Sequence, residues 1–271
     1  GENVLTRQKQ KSFIGCFFSN LNDPVIRILL VALVAISAAY PFYGFMTASA
    51  RASLVDSRAQ IVEALQRGGY TLVAEREGEM FFRAGGLANI NPLMETALSV
   101  FNQALKYLEL ERTVNFGASI VKYYDIKEGD VVLFFHNIGI NPATIDAAEE
   151  CKKRGAKIIA VASSYWQNEM PKDHFIRHPN GKNLFDYADV CIDDYNPLGD
   201  TVVKLDGFDT PIGPISNMTD FYIVHRLEIE CAKECIERGI EPPFWRSANV
   251  PGGDEFNRKN LDKYSPRIKM L

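Results

Sequence analysis

The clearest hydrophobic pattern in the chain is an apolar run at Val131–Phe135, followed by a helical pattern and a second apolar run at Lys157–Ala162. The first run is unbroken and rich in β-branched and aromatic side chains, which is typical of a strand buried on both faces. Between the runs, Asn141 and Pro142 are the predicted N-cap and first residue of a helix, and Gly155 predicts its left-handed end. A helical crossover of this length predicts that the two strands lie parallel in one sheet.

Weaker patterns on either side extend the alternation of strands and helices. The further predicted elements are a helix at 50–69, a strand at 70–74, helices at 75–82, 93–108 and 113–123, strands at 188–193 and 201–205, and a helix at 215–238. Asn91 and Pro92 are expected to start the helix at 93–108. The apolar face of the last helix is expected to include Met218, Phe221, Val224, Leu227 and Cys231. This alternation predicts an α/β sheet with helices on both faces, whose ligands bind beyond the carboxyl ends of the strands.

Charge and cysteine content restrict the class of protein. The net charge of the 271 residues is −4, which gives no basic surface and argues against nucleic acid as a partner. The five cysteines form no CxxC pattern, so we predict reduced, buried thiols in a cytosolic protein. Cys231 and Cys235 are one helical turn apart, but no third metal ligand is near them. No metal and no cofactor are expected.

Residues 1–46 differ in character from residues 47–271, and we predict that they form a separate segment. A basic, polar stretch precedes Ile28–Met46, which contains no charge in 19 residues. This is about the length that crosses the hydrocarbon core of a bilayer. Three interpretations remain open: a membrane-spanning helix, an uncleaved secretory signal with a small-x-small site at 48–50, and a buried or interfacial helix such as a dimerisation arm.

The first 36 residues carry a resemblance of their own. The sequence GENVLTRQKQKSF, followed by FFSNLNDPVIRILLVALVA, resembles the N-terminal cytosolic stub and first membrane helix of calcium-transporting P-type ATPases. The N-D-P triplet followed by I-x-I-L-L is its most specific part. The rest of the chain supplies neither the phosphorylated D-K-T-G motif nor further spans, so ion pumping is not predicted.

A second resemblance covers about residues 50–271. Five motifs occur in order, namely FRAGGL at 82–87, LER at 110–112, HPxGK at 178–182, GPxS at 213–216 and SANVxGGDExN at 247–257. Together with the crossover they resemble the sugar-isomerase (SIS) domain, in particular a bacterial branch of unassigned function related to sedoheptulose-7-phosphate isomerase. The resemblance implies a three-layer, doubly wound parallel sheet of about five strands and a homodimer or larger assembly. It also implies a phosphorylated sugar as ligand and a cytoplasmic location, membrane-associated if residues 28–46 insert.

The phosphate site implied by the family is altered in this chain. SIS domains hold phosphate with hydroxyl groups and with backbone N–H groups at helix N-termini. The glycine- and serine-bearing loop expected after the first strand is missing, and in the second loop His136 and Ile138 replace two serines. Ser216 equally fits a simple N-cap. The predicted ligand-binding residues are His136, Asn137, Gly139, Asn141, Ser163, Ser164, Lys182, Ser216, Asn249, Asp254 and Glu255.

Aldose–ketose isomerisation needs a base that moves a proton between adjacent carbons and an acid near the carbonyl oxygen. The family places a glutamate beside the sugar, which implies Glu79 as the base. The alternative is an exposed helix glutamate that pairs with Arg83. His178, in a polar loop, is the expected acid or a phosphate contact, and its alternative is a solvated histidine. Weaker candidate bases are Glu95, Glu111 and Glu255, and His174 and His225 are interpreted as structural.

These residues together predict a phosphosugar-binding SIS protein, with sugar-phosphate isomerisation as its activity if it is an enzyme. The loss of the first loop and of two serines leaves two alternatives open. One is a non-catalytic sugar-phosphate-binding or regulatory module, membrane-anchored or not, which would bind without turnover. The other is a fused or engineered chain with no evolved activity, which would fold poorly because of open sheet edges and a large apolar patch.

Overall fold

The computed structural model describes residues 52–68, 71–74, 82–99, 103–268 and 270–271, with the backbone alone at 71–74. The chain separates into the units Gly1–Ala48 and Ser49–Leu271, and every described residue belongs to the second. The predicted apolar segment at 28–46 and the predicted base Glu79 lie outside the described residues. Among the helices that are described, none is both long and apolar enough to cross a membrane.

The described part of the chain alternates between strands and helices. In order, the elements are α1 (52–66), β1 (Thr71–Ala74), β2 (Ile90–Pro92), a 3-10 helix (Thr96–Leu98), α2 (Ala104–Glu111), α3 (Phe116–Tyr123), β3 (Val131–Phe135), α4 (Pro142–Lys153), β4 (Lys157–Ala162), α5 (Ser164–Glu169), a 3-10 helix (Leu184–Asp186), β5 (Val190–Asp193), β6 (Thr201–Leu205), β7 (Phe208–Pro214), α6 (Ser216–Glu237) and α7 (Gly253–Tyr264).

Five parallel strands form the central sheet in the order β2-β1-β3-β4-β5. All five residues of β3 are buried, as its apolar run predicts. Successive side chains of a strand point to opposite faces, so β3 contributes to two apolar clusters. On one face Leu133 packs with residues of α1 and α6, and on the other Val132 packs with residues of α3 and α4. The predicted parallel α/β sheet with helices on both faces is confirmed.

The central crossover has the predicted ends. Asn141 is the N-cap of α4 in an extended conformation, and Pro142 is the first helical residue. Gly155 follows the helix with φ of 79°. The N-terminal half of α4 packs closely against α3, since a Cβ added to Gly117 would lie 1.7 Å from the carbonyl oxygen of Ala143. A glycine on α3 therefore determines where the first turn of α4 lies.

The prediction of a helix started by Asn91 and Pro92 is wrong. Both residues belong to β2, where Pro92 pairs with Val73 of β1. Since β2 is at the edge of the sheet, the N–H group that proline lacks is not needed by a second neighbouring strand. The next α-helix, α2, begins only at Ala104.

The predicted strand at Thr201–Leu205 is confirmed, and it pairs antiparallel with β7 in a separate two-stranded sheet. The predicted apolar face of the last helix is only partly right. On α6, Val224, Leu227 and Cys231 are buried as predicted, whereas the side chains of Met218 and Phe221 are exposed. Asp220 and Ile223 are buried in place of Met218 and Phe221, so the buried face of α6 is rotated relative to the predicted one.

The described cysteines are all free thiols, namely Cys151, Cys191, Cys231 and Cys235. Three of them are buried, and burial raises the pKa of Cys151 to about 12. Cys191 is exposed, contrary to the prediction of buried thiols, because it is the outward residue of the edge strand β5. Within the described ranges, no group of three or more His, Cys, Asp or Glu side chains is arranged to hold a metal ion.

Candidate functional site

The candidate site lies at the carboxyl ends of β3, β4 and β5, where ligands of parallel sheets bind. Backbone hydrogen bonds connect the three loops that leave these strands. The N–H group of Ser163 donates to the carbonyl of Asn137 at 2.9 Å, and the N–H group of Asp194 donates to that of Ala162 at 3.1 Å. The structure therefore brings the predicted residues of the loop after β3, with the sequence HNIGIN at 136–141 (the HNIGIN loop), together with Ser163.

The HNIGIN loop is closed by its own histidine. His136 is buried, and its Nδ1 accepts the N–H group of Gly139 at 2.9 Å. Gly139 has φ of 62°, and a Cβ there would lie 3.2 Å from both Ala162 and Gln167. Protonation of His136 at Nδ1 would remove this hydrogen bond. In this arrangement the histidine stabilises the loop as a neutral side chain.

The N-terminus of α4 carries polar groups that no described residue satisfies. Asn141 is its N-cap and is 1% exposed, yet its side chain makes no capping hydrogen bond. Among the described residues, the Oδ1 atoms of Asn137 and Asn141 are buried and have no hydrogen-bond partner. The first turn of α4 contains no acidic residue, so the positive end of the helix dipole is not compensated there. A buried polar group without a partner costs about 1–3 kcal/mol, which makes this a candidate ligand site.

In the described part of the chain, two other helices begin at this edge, α5 and α6, and carboxylates are hydrogen-bonded at the start of each. Asp193 Oδ1 accepts the N–H group of Ser164 at 3.1 Å. Asp200 accepts the N–H groups of Ile215 and Ser216 at 3.1 and 2.7 Å, and the hydroxyl group of Ser216 at 2.7 Å. The N-cap of α6 is Ile215, so Ser216 is its first residue and not its cap. The polar groups of Ser164 and Ser216 named here therefore have partners within the protein.

Ser163 links β4 to the start of α6. Its hydroxyl group donates to the carbonyl of Asn196 at 2.6 Å and accepts the N–H group of Tyr165 at 3.2 Å, as the N-cap of α5. The amide of Asn196 in turn donates to Thr219 Oγ1 at 2.9 Å. Neither Asn196 nor Thr219 was expected from the sequence, because their side chains meet only in the folded chain.

Asp194 is a second residue that the sequence reasoning missed. It is 1% exposed, and its Oδ1 accepts the N–H group of Asn196 at 3.0 Å. Burial, together with the nearby charges of Asp220 and Asp193, raises the pKa of Asp194 to about 8. The pair of aspartates at the end of the strand β5, Asp193 and Asp194, was the signal that could have identified it.

His178 is a buried side chain and not the solvated loop histidine of the alternative interpretation. Its Nδ1 accepts the N–H group of Asn180 at 3.1 Å, so in the neutral ring Nε2 carries the proton and donates to Asp146 Oδ1 at 3.2 Å. Asp146 also accepts the N–H group of Asn115. The backbone N–H group of His178 donates to Ile140 at 2.9 Å. His178 thus holds its loop against HNIGIN, and both ring nitrogens are engaged.

Arg177 provides a further clamp next to His178. The side chain is buried, and its guanidinium donates to the carbonyls of Gln167 at 2.7 Å and Pro171 at 2.9 Å. It also donates to Asn183 Oδ1 at 2.8 Å. The clamp joins the end of α5 to the loop that follows His178.

The remaining predicted residues are exposed. Lys182 is exposed, and its N–H group donates to Asn180. Asn249, Asp254 and Glu255 are exposed around the start of α7, where Gly252 is a left-handed N-cap. In this motif Gly252 therefore serves as a helix cap.

The weaker candidate bases and the histidines interpreted as structural have local contacts. Glu95 caps the first 3-10 helix through the N–H group of Ala97, and Glu111 is buried 3.9 Å from Arg112. His174 is in ring contact with Phe175, and His225 pairs with Glu228 at 2.9 Å.

Comparison with known protein families agrees with both resemblances found in the sequence. Residues 60–163 match the SIS domain, and residues 1–36 match the N-terminus of cation-transporting ATPases. The chain is 34% identical over 195 residues to the UPF0309 protein of Thermoanaerobacter pseudethanolicus, which covers 71% of this chain and 77% of the relative. It is 34% identical over 193 residues to the UPF0309 protein of Listeria innocua, an alignment that covers 71% of this chain and 76% of the relative. The chain belongs to the UPF0309 family of SIS-domain proteins.

Two solved structures resemble the overall fold more distantly. A phosphoheptose isomerase from Francisella tularensis has a TM-score of 0.46 and 15% identity, covering 76% of this chain and 98% of that protein. A phosphoheptose isomerase from Neisseria gonorrhoeae has a TM-score of 0.44 and 12% identity, covering 78% and 99%.

Proposed function

We propose that the protein binds a phosphorylated sugar, with the phosphoryl group at the N-terminus of α4. The observation that supports this most directly is the state of that N-terminus. Asn137 and Asn141 present buried amide oxygens there that have no partner among the described residues. Asp193 and Asp200 instead fill the starts of α5 and α6, so α4 offers the free positive helix end. The SIS-domain match makes a sugar phosphate the expected anion.

The recognition of the anion would use few charged side chains. Amide groups of Asn137 and Asn141 can rotate to donate to phosphate oxygens, and the backbone N–H groups of the first α4 turn point the same way. His136 keeps the loop closed from within, as a neutral ring. Such a site recognises shape and hydrogen bonds and depends less on salt than a cluster of lysines would.

Isomerase activity is the second candidate function, and the SIS-domain match favours it. Its base would be Glu79, as the family resemblance implies. The other catalytic candidate, His178, has both ring nitrogens engaged by Asp146 and Asn180, which favours a role in positioning the loop. Binding without turnover is therefore the function that the geometry supports best.

We further propose a cytoplasmic protein that self-associates. Free thiols at all four described cysteines support a reducing compartment. Exposed apolar side chains on α6 and on the β6–β7 hairpin support an assembly of two or more copies, because exposed apolar patches of this kind mark interfaces. They are Met218, Phe221, Tyr222, Ile229 and Ile236 on α6 and Val202, Val203, Leu205, Phe208 and Ile212 on the hairpin.

The proposed binding is tested by calorimetric titration of the full chain with a hexose monophosphate, the free hexose and inorganic phosphate. We expect the hexose monophosphate and inorganic phosphate to bind, and the free hexose not to bind at the same concentration. Asn137→Ala should weaken binding of the hexose monophosphate at least tenfold, since a hydrogen bond to a charged group contributes about 1.5–3 kcal/mol. Asn168→Ala, an exposed change on α5, is the matched control and should leave the affinity unchanged.

Turnover is measured in the same samples. Conversion of an aldose phosphate to its ketose would add isomerase activity to the proposed function, and binding without conversion would indicate a binding module. Equal affinity of wild type and Asn137→Ala would exclude the HNIGIN loop as the site.

A further inference from the structure

We propose that Asp200 restricts the site to ligands that carry a single phosphoryl group. This inference rests on the proposed function, because it concerns a second position beside the phosphoryl site at α4. Asp200 keeps a second anion away by occupying the start of α6 with its own carboxylate.

Asp200 fills the start of α6 with three hydrogen bonds. One carboxylate oxygen accepts the N–H groups of Ile215 at 3.1 Å and Ser216 at 2.7 Å, and the other accepts the Ser216 hydroxyl at 2.7 Å. These are the types of donor that would otherwise receive a phosphate at the start of a helix of 22 residues. An anionic ligand must therefore displace a carboxylate that is already hydrogen-bonded.

The start of α6 lies beside the proposed phosphoryl site. The carbonyl of Asn137 in the HNIGIN loop accepts the N–H group of Ser163, and the Ser163 hydroxyl donates to the carbonyl of Asn196. The Asn196 amide reaches Thr219 in the first turn of α6. Three hydrogen bonds thus connect the loop before α4 with the first turn of α6, so both lie at the same edge of the sheet.

Asp193 fills the start of α5 in a similar way, since its carboxylate accepts the N–H group of Ser164. A second phosphoryl group at the start of α6 would approach the carboxylate of Asp200, whereas the neutral hydroxyl groups of a sugar would not be repelled. The arrangement therefore favours a polyhydroxy monophosphate over a bisphosphate.

The backbone holds Asp200 in this position. The residue has φ of 63°, an uncommon conformation for a residue other than glycine, and its N–H group donates to Pro197 at 2.9 Å. Because the turn determines the direction of the side chain, the carboxylate is not expected to leave α6 as a mobile surface group would.

The experiment compares the full chain with its Asp200→Asn variant by calorimetric titration with a hexose monophosphate and the corresponding bisphosphate. Wild type should bind the bisphosphate at least tenfold more weakly than the monophosphate. Asp200→Asn keeps an acceptor for Ser216 but removes the negative charge. It should therefore reduce the ratio of the two dissociation constants, bisphosphate over monophosphate, at least fivefold, while the affinity for the monophosphate changes little. Asp209→Asn, at an exposed position of the hairpin, changes the net charge equally and should leave the ratio unchanged.

Three results would overturn the proposal. They are equal binding of both ligands by wild type, an unchanged ratio in Asp200→Asn, and an equal change in Asp209→Asn. Wild type that binds neither phosphorylated ligand would instead overturn the proposed function itself. Thermal melting of each variant shows whether it is folded, and Asp200→Ser, measured in parallel, gives a second change at the same position.

Discussion

Replacement of Asp194 by asparagine should change how the stability of the protein depends on pH. Asp194 is almost completely buried, and burial raises its pKa to about 8 in the folded chain. The unfolded chain releases this proton near pH 4. Between these values the folded state holds a proton that the unfolded state has lost. The stability contributed by the neutral carboxyl is therefore present at low pH and decreases as the pH rises towards 8.

The size of the effect follows from this single proton. A difference of one bound proton changes the free energy of unfolding by about 1.4 kcal/mol per pH unit. Between pH 5 and pH 7, wild type should therefore lose about 2.7 kcal/mol relative to a variant without the titrating group. The amide introduced by Asp194→Asn would resemble the protonated carboxyl and keep an acceptor for the N–H group of Asn196. The variant should match wild type most closely near pH 5 and become progressively more stable than it up to pH 8.

The assay is urea unfolding of the full chain, followed by far-ultraviolet circular dichroism at integral pH values from 5 to 9. The quantity of interest is the difference in unfolding free energy between variant and wild type, because other titrating groups contribute equally to both. Asp209→Asn, at an exposed position, is the control and should give a difference that does not depend on pH. A pH-independent difference for Asp194→Asn as well would refute the assignment of a buried neutral carboxyl.

Three further substitutions test how the site is supported. Gly117→Ala places a methyl group against the carbonyl of Ala143 and should destabilise the fold by about 3 kcal/mol, measured by urea unfolding. It should also weaken sugar-phosphate binding, because the first turn of α4 moves; an unchanged stability would contradict the close packing of α3 and α4. Arg177→Met leaves buried carbonyls without donors and should cost about 2–4 kcal/mol in the same assay, whereas a loss below about 0.5 kcal/mol would contradict the clamp. Leu133→Ala, at a fully buried position of β3, should cost about 2–5 kcal/mol, and a smaller loss would mean that the sheet repacks around it.

The central crossover could be predicted from the sequence because its signals are local. The apolar run of β3, the proline at the start of α4 and the glycine after it each act on their own neighbourhood, and the structure has all three where expected. One prediction made from local signals, the helix start at Asn91 and Pro92, was wrong. Asn91 and Pro92 have the composition of a helix start, but pairing with β1 places them in an edge strand, which the local pattern does not contain.

The candidate site was predictable only as far as its position in the sheet. The crossover pattern located the HNIGIN loop and Ser163 at the ends of its two strands, and the parallel strands bring these to one edge. Which polar groups stay open for a ligand depends on contacts between distant parts of the chain. Asp193 meets Ser164, a separation of 29 residues, and Asp146 meets His178, a separation of 32.

The sequence by itself therefore determined the central strand–helix–strand crossover, the edge of the sheet at which the candidate site lies and the residue types present there. The tertiary structure alone decided which of those residues are already paired. Ser216 shows the reason, since its hydroxyl group is suited to a phosphate until the fold brings Asp200, 16 residues away, against it. Hydrogen bonding saturates each donor, so the function of a polar side chain depends on which acceptor the fold places nearest.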